Sequence, residues 1–481
     1  VNLSRQVRPL LQPARLAVIC RHLAQLSLLL AALLMPPTLF AALNGDAGLA
    51  ERLFVAALAP ALVLGLGLVL PAAQRPLQSN EALIVVCLVF VLTAGLLTYP
   101  LMAAGLSPID AWFEAVSGVT TTGLSMVPEP GAHSDAFLFT RSWAQWLGGL
   151  GMVVLSLALA LGRVTDMRRL ATAASSEEDP GQGLRRHARQ VLAVYLVLTL
   201  VGLLLVRAAG LPPFEALVHT LSAVSTGGFS GFSDSLARLE RPTQLALLSL
   251  AFLGALPLPL FYRAYLRGAS ELARDPELRA LIAAVLLATL LLWLLGRLAP
   301  VDALLQALTA QTGTGFSTLE VAGLAPEAKW VLILSMATGA GIGSTAGGMK
   351  LLRLLILVRV LQLAILRAQL PRHGVLQPTL GGHVLEPAQI EHALLLLLLY
   401  PLLFLVSWLP FLAAGFPPLD ALFEVVSATA TVGLSTGITS ADLEPGLKLL
   451  LTLDMLAGRV EILAFLVLVY PGSWYKRRSH P

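Results

Sequence analysis

Charge is scarce in this chain: only 12% of the residues are Asp, Glu, Lys or Arg, against 57% that are hydrophobic. A soluble domain carries about 25% charged residues, so this composition excludes a molecule that covers itself with polar surface. The chain reads as an integral membrane protein. Cysteine is nearly absent, and Cys20 and Cys87 both lie inside apolar segments. They serve packing, which excludes a disulfide framework and a thiolate metal site. The motifs of an enzyme are also missing. There is no His-Glu-x-x-His, no carboxylate pair within one apolar span, and no glycine loop closing on Lys-Ser or Lys-Thr. The net charge of +4 does not mark a nucleic-acid binder, because the basic residues cluster in loops beside apolar spans.

What is present is a repeat. Residues 110–125 read DAWFEAVSGVTTTGLS, and three relatives follow at 215–230, 302–317 and 420–435. Aligned on Gly123, Gly228, Gly315 and Gly433, the four share an acid thirteen residues earlier: Asp110, Glu215, Asp302 and Asp420. A hydroxyl stands six before the glycine (Ser117, Ser222, Thr309, Ser427), and a bulky apolar residue and then a serine follow it. Each copy predicts a short apolar helix closing on a run of small residues. Four copies in one chain point to one repeated architecture rather than several domains.

A membrane helix needs roughly 17–25 apolar residues. Spans are expected at 16–43 and 52–73, then at 82–104 and 136–161, 191–209 and 244–265, 278–295 and 328–366, and 392–414 and 447–471. The expected organisation is an N-terminal helix pair (1–78) and four units: 79–170, 171–272, 273–375 and 376–481. The fold class is an all-α polytopic membrane protein, with four pseudo-symmetric span–pore-loop–span repeats around one pore. An even number of spans puts both termini on one side. Arg75, the 163–189 linker, Arg263, Arg267, Arg274, Arg367, Arg372 and the Lys476–Arg478 tail fall on that side, so positive-inside reasoning makes the termini cytoplasmic.

Non-helical backbone at membrane depth survives only inside protein or along a water-filled cavity. Four such runs in register can face one axis, and their carbonyls can replace the hydration shell of a monovalent cation. The short helices would aim their partially negative C-terminal ends at the same place.

These residues resemble the potassium-translocating membrane subunits of the Trk/Ktr/HKT superfamily, and the TrkH branch in particular. The second run, Ser225-Thr226-Gly227-Gly228-Phe229-Ser230, and the segment GAGIGSTAGGMKLLR (339–353) carry that likeness most closely. The resemblance implies a selectivity filter of backbone carbonyls from Thr120, Thr121, Thr122 and Gly123; Ser225, Thr226, Gly227 and Gly228; Thr312, Gly313, Thr314 and Gly315; and Ala430, Thr431, Val432 and Gly433. All four filter glycines are present, which in the superfamily goes with potassium preference. The fourth run, Thr429-Ala430-Thr431-Val432-Gly433-Leu434, lacks the asparagine-rich pattern of TrkH and looks more like the Ktr type.

Gly339, Gly341, Gly343, Gly347 and Gly348 break the second helix of the third unit, since each costs about 1 kcal/mol against alanine in a helix. By resemblance, 339–348 is an intramembrane gate loop beneath the filter. Arg459 lies in the last span, where a charge at mid-membrane costs at least about 2.5 kcal/mol and marks function. By resemblance it sits below the filter beside the gate loop, and it is read as an electrostatic barrier to cations. The alternative is a local pair with Glu461 or Asp454. Lys350 and Arg353 are read as cytoplasmic anchors, and the four helix-start acids as stabilising the positive ends of their helices. The expected activity is potassium uptake across a bacterial-type cytoplasmic membrane, with a weakly selective or sodium-coupled cation transporter as the alternative. No cofactor is expected beyond the transported K+. The resemblance further implies a homodimer and a cytosolic nucleotide-binding regulatory subunit, for which 163–189 and the basic tail are candidate docking surfaces.

Overall fold

The computed structural model describes residues 13–68, 78–162, 180–369 and 377–474. The described residues are mostly helical, and among them one short hairpin pairs Thr379–Leu380 with His383–Val384. Helices α1 (Leu16–Leu43) and α2 (Ala47–Leu68) pack side by side, and α1 continues against α3 (Ser79–Leu101) and α5 (Asp135–Gly162). Between α3 and α5 lies the short α4 (Pro108–Val119). The same long–short–long pattern recurs three times. Helix α6 (Pro180–Ala208) leads to the short α7 (Pro213–Val224), then to α8 (Arg241–Gly254), α9 (Leu258–Arg267) and the single turn α10 (Ser270–Arg274). Helix α11 (Pro276–Leu294) leads to α12 (Pro300–Thr312), α13 (Pro326–Thr338) and α14 (Leu351–Arg367). Helix α15 (Pro387–Ala413) leads to α16 (Pro418–Thr429), α17 (Pro445–Arg459) and α18 (Ile462–Val469).

The four short helices begin alike. Pro108, Pro213, Pro300 and Pro418 each occupy the first turn, where a missing amide costs nothing and the fixed φ suits helix. Twelve or thirteen residues extend about 18–20 Å, well short of a bilayer core. Beyond the first turn these helices are almost entirely buried, each between the long helices of its own unit and those of its neighbour.

The expected ten spans are not ten unbroken helices. Five described helices are long and apolar enough to cross a membrane by themselves. In the last three units the second span is broken. Residues 244–265 divide at 255–257, where Pro257 removes an amide and α9 turns 85° from α8. Residues 328–366 divide over 339–350, where the expected glycine segment is non-helical. Residues 447–471 divide at 460–461. Helices α14 and α18 resume from the same backbone kink: Lys350 has φ 74°, ψ 127° and Glu461 has φ 63°, ψ 130°. All three breaks are buried, as irregular backbone in a bilayer must be.

Arg75, Arg163, Arg168, Arg169, Arg372 and the basic tail lie outside the described residues, as do the side chains of Arg185 and Arg186.

Candidate functional site

Each short helix ends in the same closure. The residue two before the aligned glycine takes a left-handed φ: 55° at Thr121, 52° at Thr226, 69° at Gly313 and 52° at Thr431. Its amide donates to the carbonyl of Gly118, Ala223, Ala310 or Ala428 at 3.0–3.3 Å. The next amide donates to Ser117, Ser222, Thr309 or Ser427 at 2.8–3.1 Å. This Schellman pairing satisfies the last helical carbonyls. Left-handed backbone at a threonine costs about 1–2 kcal/mol, so the closure is maintained against local strain in three of the four copies.

The aligned glycine is left-handed again, at φ 92°, 74°, 73° and 98° for Gly123, Gly228, Gly315 and Gly433. Alternating handedness sets successive carbonyls along one side of a chain, where an extended strand would point them to opposite sides. Because the amides are turned back into the helix, the carbonyls are left over. Among the described residues, no donor reaches any carbonyl of the sixteen predicted residues except two. Ser225 accepts from Thr226 Oγ1 at 2.7 Å, and Gly227 accepts from Gln145 Nε2 at 2.5 Å. Buried carbonyls without partners are rare in proteins, and here they are gathered in one place.

The four runs close into a ring. A β-carbon on Gly123 would collide with the carbonyl oxygen of Gly227, one on Gly228 with that of Thr314, one on Gly315 with that of Val432, and one on Gly433 with that of Thr122. Unit one thus abuts unit two, two abuts three, three abuts four, and four returns to one. On one side of the ring lies a cavity of about 280 Å³, lined among others by Gly123, Ser125, Ser233, Gly433, Ser435 and Thr439.

Three of the four buried polar side chains at one repeat position brace these runs, a role that sequence reasoning missed. Nine residues before the glycine stand Glu114, His219, Gln306 and Glu424, all buried. Glu114 and Glu424 accept from the serine two past the glycine, Ser125 at 3.1 Å and Ser435 at 2.7 Å, and His219 Nε2 lies 3.0 Å from Ser230 Oγ. The eleven-residue spacing was present in the sequence as a signal. Glu114 is also ion-paired with buried Arg141 at 2.6 Å, whose guanidinium lies 4.1 Å over the Phe229 ring of unit two. The hydroxyls six before the glycine do related work: Ser117 and Ser427 accept from the amides of Gly123 and Gly433 at 3.0 and 3.1 Å.

Three of the four helix-start acids do more than complement helix ends. Asp110 pairs with Lys448 at 2.5 Å, Asp302 with Arg241 at 2.5 Å and Asp420 with Lys329 at 2.7 Å. Every one of these bridges joins adjacent units.

The glycine-broken segment lies against the other side of the ring. Thr345 Oγ1 lies 3.0 Å from the Gly254 carbonyl and 3.2 Å from that of Val224, with one proton to donate between them, and Thr226 Oγ1 lies 3.2 Å from it. A β-carbon on Gly347 would strike Thr431 Oγ1 and the Ala430 carbonyl. Gln311 Nε2 donates to the Gly339 carbonyl at 2.6 Å, Leu258 N to that of Gly343 at 3.1 Å, and Ile342 N to Glu277 Oε2 at 2.6 Å. The segment therefore spans the ends of the short helices of units two, three and four.

Arg459 is fully buried, and its two terminal nitrogens donate to the carbonyls of Thr345 at 2.7 Å and Gly148 at 2.8 Å. The alternative local pair does not form, because Glu461 pairs with Arg353 at 2.6 Å and Asp454 accepts from Ser407 at 2.7 Å. Lys350 and Arg353 are not surface anchors. Both are buried, Lys350 bonding the Ala346 carbonyl and Arg353 the Met349 carbonyl and Glu461, so together they fasten the end of the broken segment.

A sequence profile of the TrkH family, described as cation transport protein, matches residues 52–296 and 297–474. The chain belongs to the TrkH family. This is a family of ion transporters, not of enzymes, and the chain is a multi-pass membrane protein. It is 28% identical over 479 residues to the Trk system potassium uptake protein TrkH of Salmonella typhimurium, covering 95% of this chain and 99% of that one. It is 29% identical to the corresponding protein of Halomonas elongata, covering 96% and 100% of the two chains. The crystal structure of the potassium transporter TrkH from Vibrio parahaemolyticus superposes with a TM-score of 0.84 at 26% identity, covering 96% of this chain and 100% of that one.

Proposed function

We propose that this TrkH-family chain takes up potassium across a cytoplasmic membrane, with the ring of four runs as its selectivity filter. The observation that carries the reading is the closed ring of glycine-to-carbonyl contacts around sixteen carbonyls, of which all but those of Ser225 and Gly227 take no donor among the described residues. Such oxygens exchange for the water of an alkali cation at little cost, and four short helices add their negative C-terminal ends. Relatives named as potassium uptake proteins over nearly their whole length support the choice of ion. Membrane potential would drive entry at about 2.3 kcal/mol per charge per 100 mV.

In the same reading, 339–348 is the gate below the filter. Arg459 holds that loop through Thr345 and places a positive charge beside the path. Both termini face the cytoplasm, the assembly is a homodimer, and a cytosolic nucleotide-binding subunit acts on the basic cytoplasmic face. The competing reading, a weakly selective or sodium-coupled pathway, separates from it by measurement.

Gly123→Ser should lower the K+/Na+ permeability ratio about tenfold, equivalent to ~1.4 kcal/mol, because its β-carbon would displace the Gly227 carbonyl. Reversal potentials in mixed salts, read on purified protein in proteoliposomes, provide the test. An unchanged ratio would refute the filter, and potassium flux that requires sodium would favour the competing reading.

A further inference from the structure

The four filters differ in the residue just before the aligned glycine: Thr122, Thr314 and Val432 carry side chains there, whereas unit two has Gly227. The structure gives the reason. The space that a β-carbon on Gly227 would need is filled by the side-chain amide of Gln145, which arrives from α5 of unit one. That amide is fully buried and makes two bonds on either side of Gly228. Its Nε2 donates to the Gly227 carbonyl at 2.5 Å, and its Oε1 accepts from the Phe229 amide at 3.1 Å. Only one orientation of the amide satisfies both partners.

The carbonyl that Gln145 takes is one of the four that close the ring, since Gly227 is the residue against which Gly123 rests. Its counterparts on Thr122, Thr314 and Val432 take no hydrogen bond among the described residues. We infer that Gln145 is a specificity-determining positioning residue, which fixes the height and direction of one ring carbonyl from behind. The inference rests on the filter reading above. A donor on one oxygen of four lowers that oxygen's charge toward a bound cation and holds it where it is. The ring is therefore not fourfold at this level, since one carbonyl is tethered and its three counterparts are not. A carbonyl tethered in this way would favour the larger of two alkali ions, because moving in to complete the shell of the smaller one would break the bond from Gln145.

Gln145→Met keeps the volume and removes both bonds, and Gly227→Ala displaces the amide from the opposite side. Each is made in the full-length chain, reconstituted in proteoliposomes, and read as K+/Na+ permeability ratio alongside total K+ flux. The ratio should fall at least threefold in either variant, by a larger factor than the flux. A ratio that holds in Gln145→Met, or falls only in step with the flux, overturns the inference and leaves Gln145 as packing. If Gln145→Met cannot be recovered from membranes, Gly227→Ala decides by the same criterion. Should Gly123→Ser shift the ratio while both of these leave it alone, this inference alone fails. Should none of the three shift it, the filter reading fails as well.

Discussion

The strained threonines bear on what the proposed filter needs. Thr121 carries its side chain at a left-handed φ that disfavours one, and unit three uses Gly313 in the equivalent place with a similar angle. Thr121→Gly should therefore leave the K+/Na+ permeability ratio within about twofold of wild type, since it relieves roughly 1–2 kcal/mol of strain. A large change would mean that the Thr121 side chain, rather than its carbonyl, serves the ion. Arg459 is a different case. Its guanidinium bridges two carbonyls from different units, Thr345 and Gly148. Hydrogen bonds to a charged group are worth about 1.5–3 kcal/mol each, so Arg459→Ala should free the loop and raise basal potassium flux about tenfold. Arg459→Lys should rescue little of this, because a single ammonium cannot fork across both acceptors. Flux at a fixed potential measures both, and an Arg459→Ala channel no leakier than wild type would remove the arginine from gating.

At the scale of the element, the broken helices are where sequence and structure part. The glycine-rich break at 339–350 could be read directly, because no run of five glycines in ten residues holds a helix. The 85° turn at 255–257 was signalled only by Pro257 and Pro259, within an apolar run that otherwise reads as one span. The break at 460–461 has no glycine or proline of its own. It depends on Glu461 reaching Arg353 in another unit, a contact that local sequence cannot reveal. Likewise, the positions of the four filter runs were legible from their own periodicity. Gln145, Arg141 and the cross-unit lysines were not, because what makes them matter is a partner far along the chain. The broken segment itself carries a prediction. Gly347→Ala sets a methyl against Thr431 Oγ1 and the Ala430 carbonyl, so the loop should be pushed from its seat. Basal flux should rise severalfold with the K+/Na+ ratio nearly retained, as measured by isotope uptake in each salt. Unaltered uptake would show that the loop does not gate.

Across the whole molecule, the units are tied by ion pairs of unequal burial. The Lys448 and Asp110 side chains are 6% and 14% exposed, whereas Arg241 is 50% exposed. Breaking a buried pair strands the remaining charge, while an exposed pair contributes about 0–1 kcal/mol. Lys448→Met should therefore lower the unfolding temperature in detergent by several degrees, and Arg241→Met by less than half as much. Equal shifts would mean that burial does not set the strength of these ties. The tie between units one and four has a further consequence. Gly433 meets Thr122 only after the fourth unit has joined the first three. On the proposed reading, a nascent chain that stops short of Gly433 would have three sides of a conduit and no enclosed path. Such a chain would not leak ions during biogenesis, since permeability would await the fourth run.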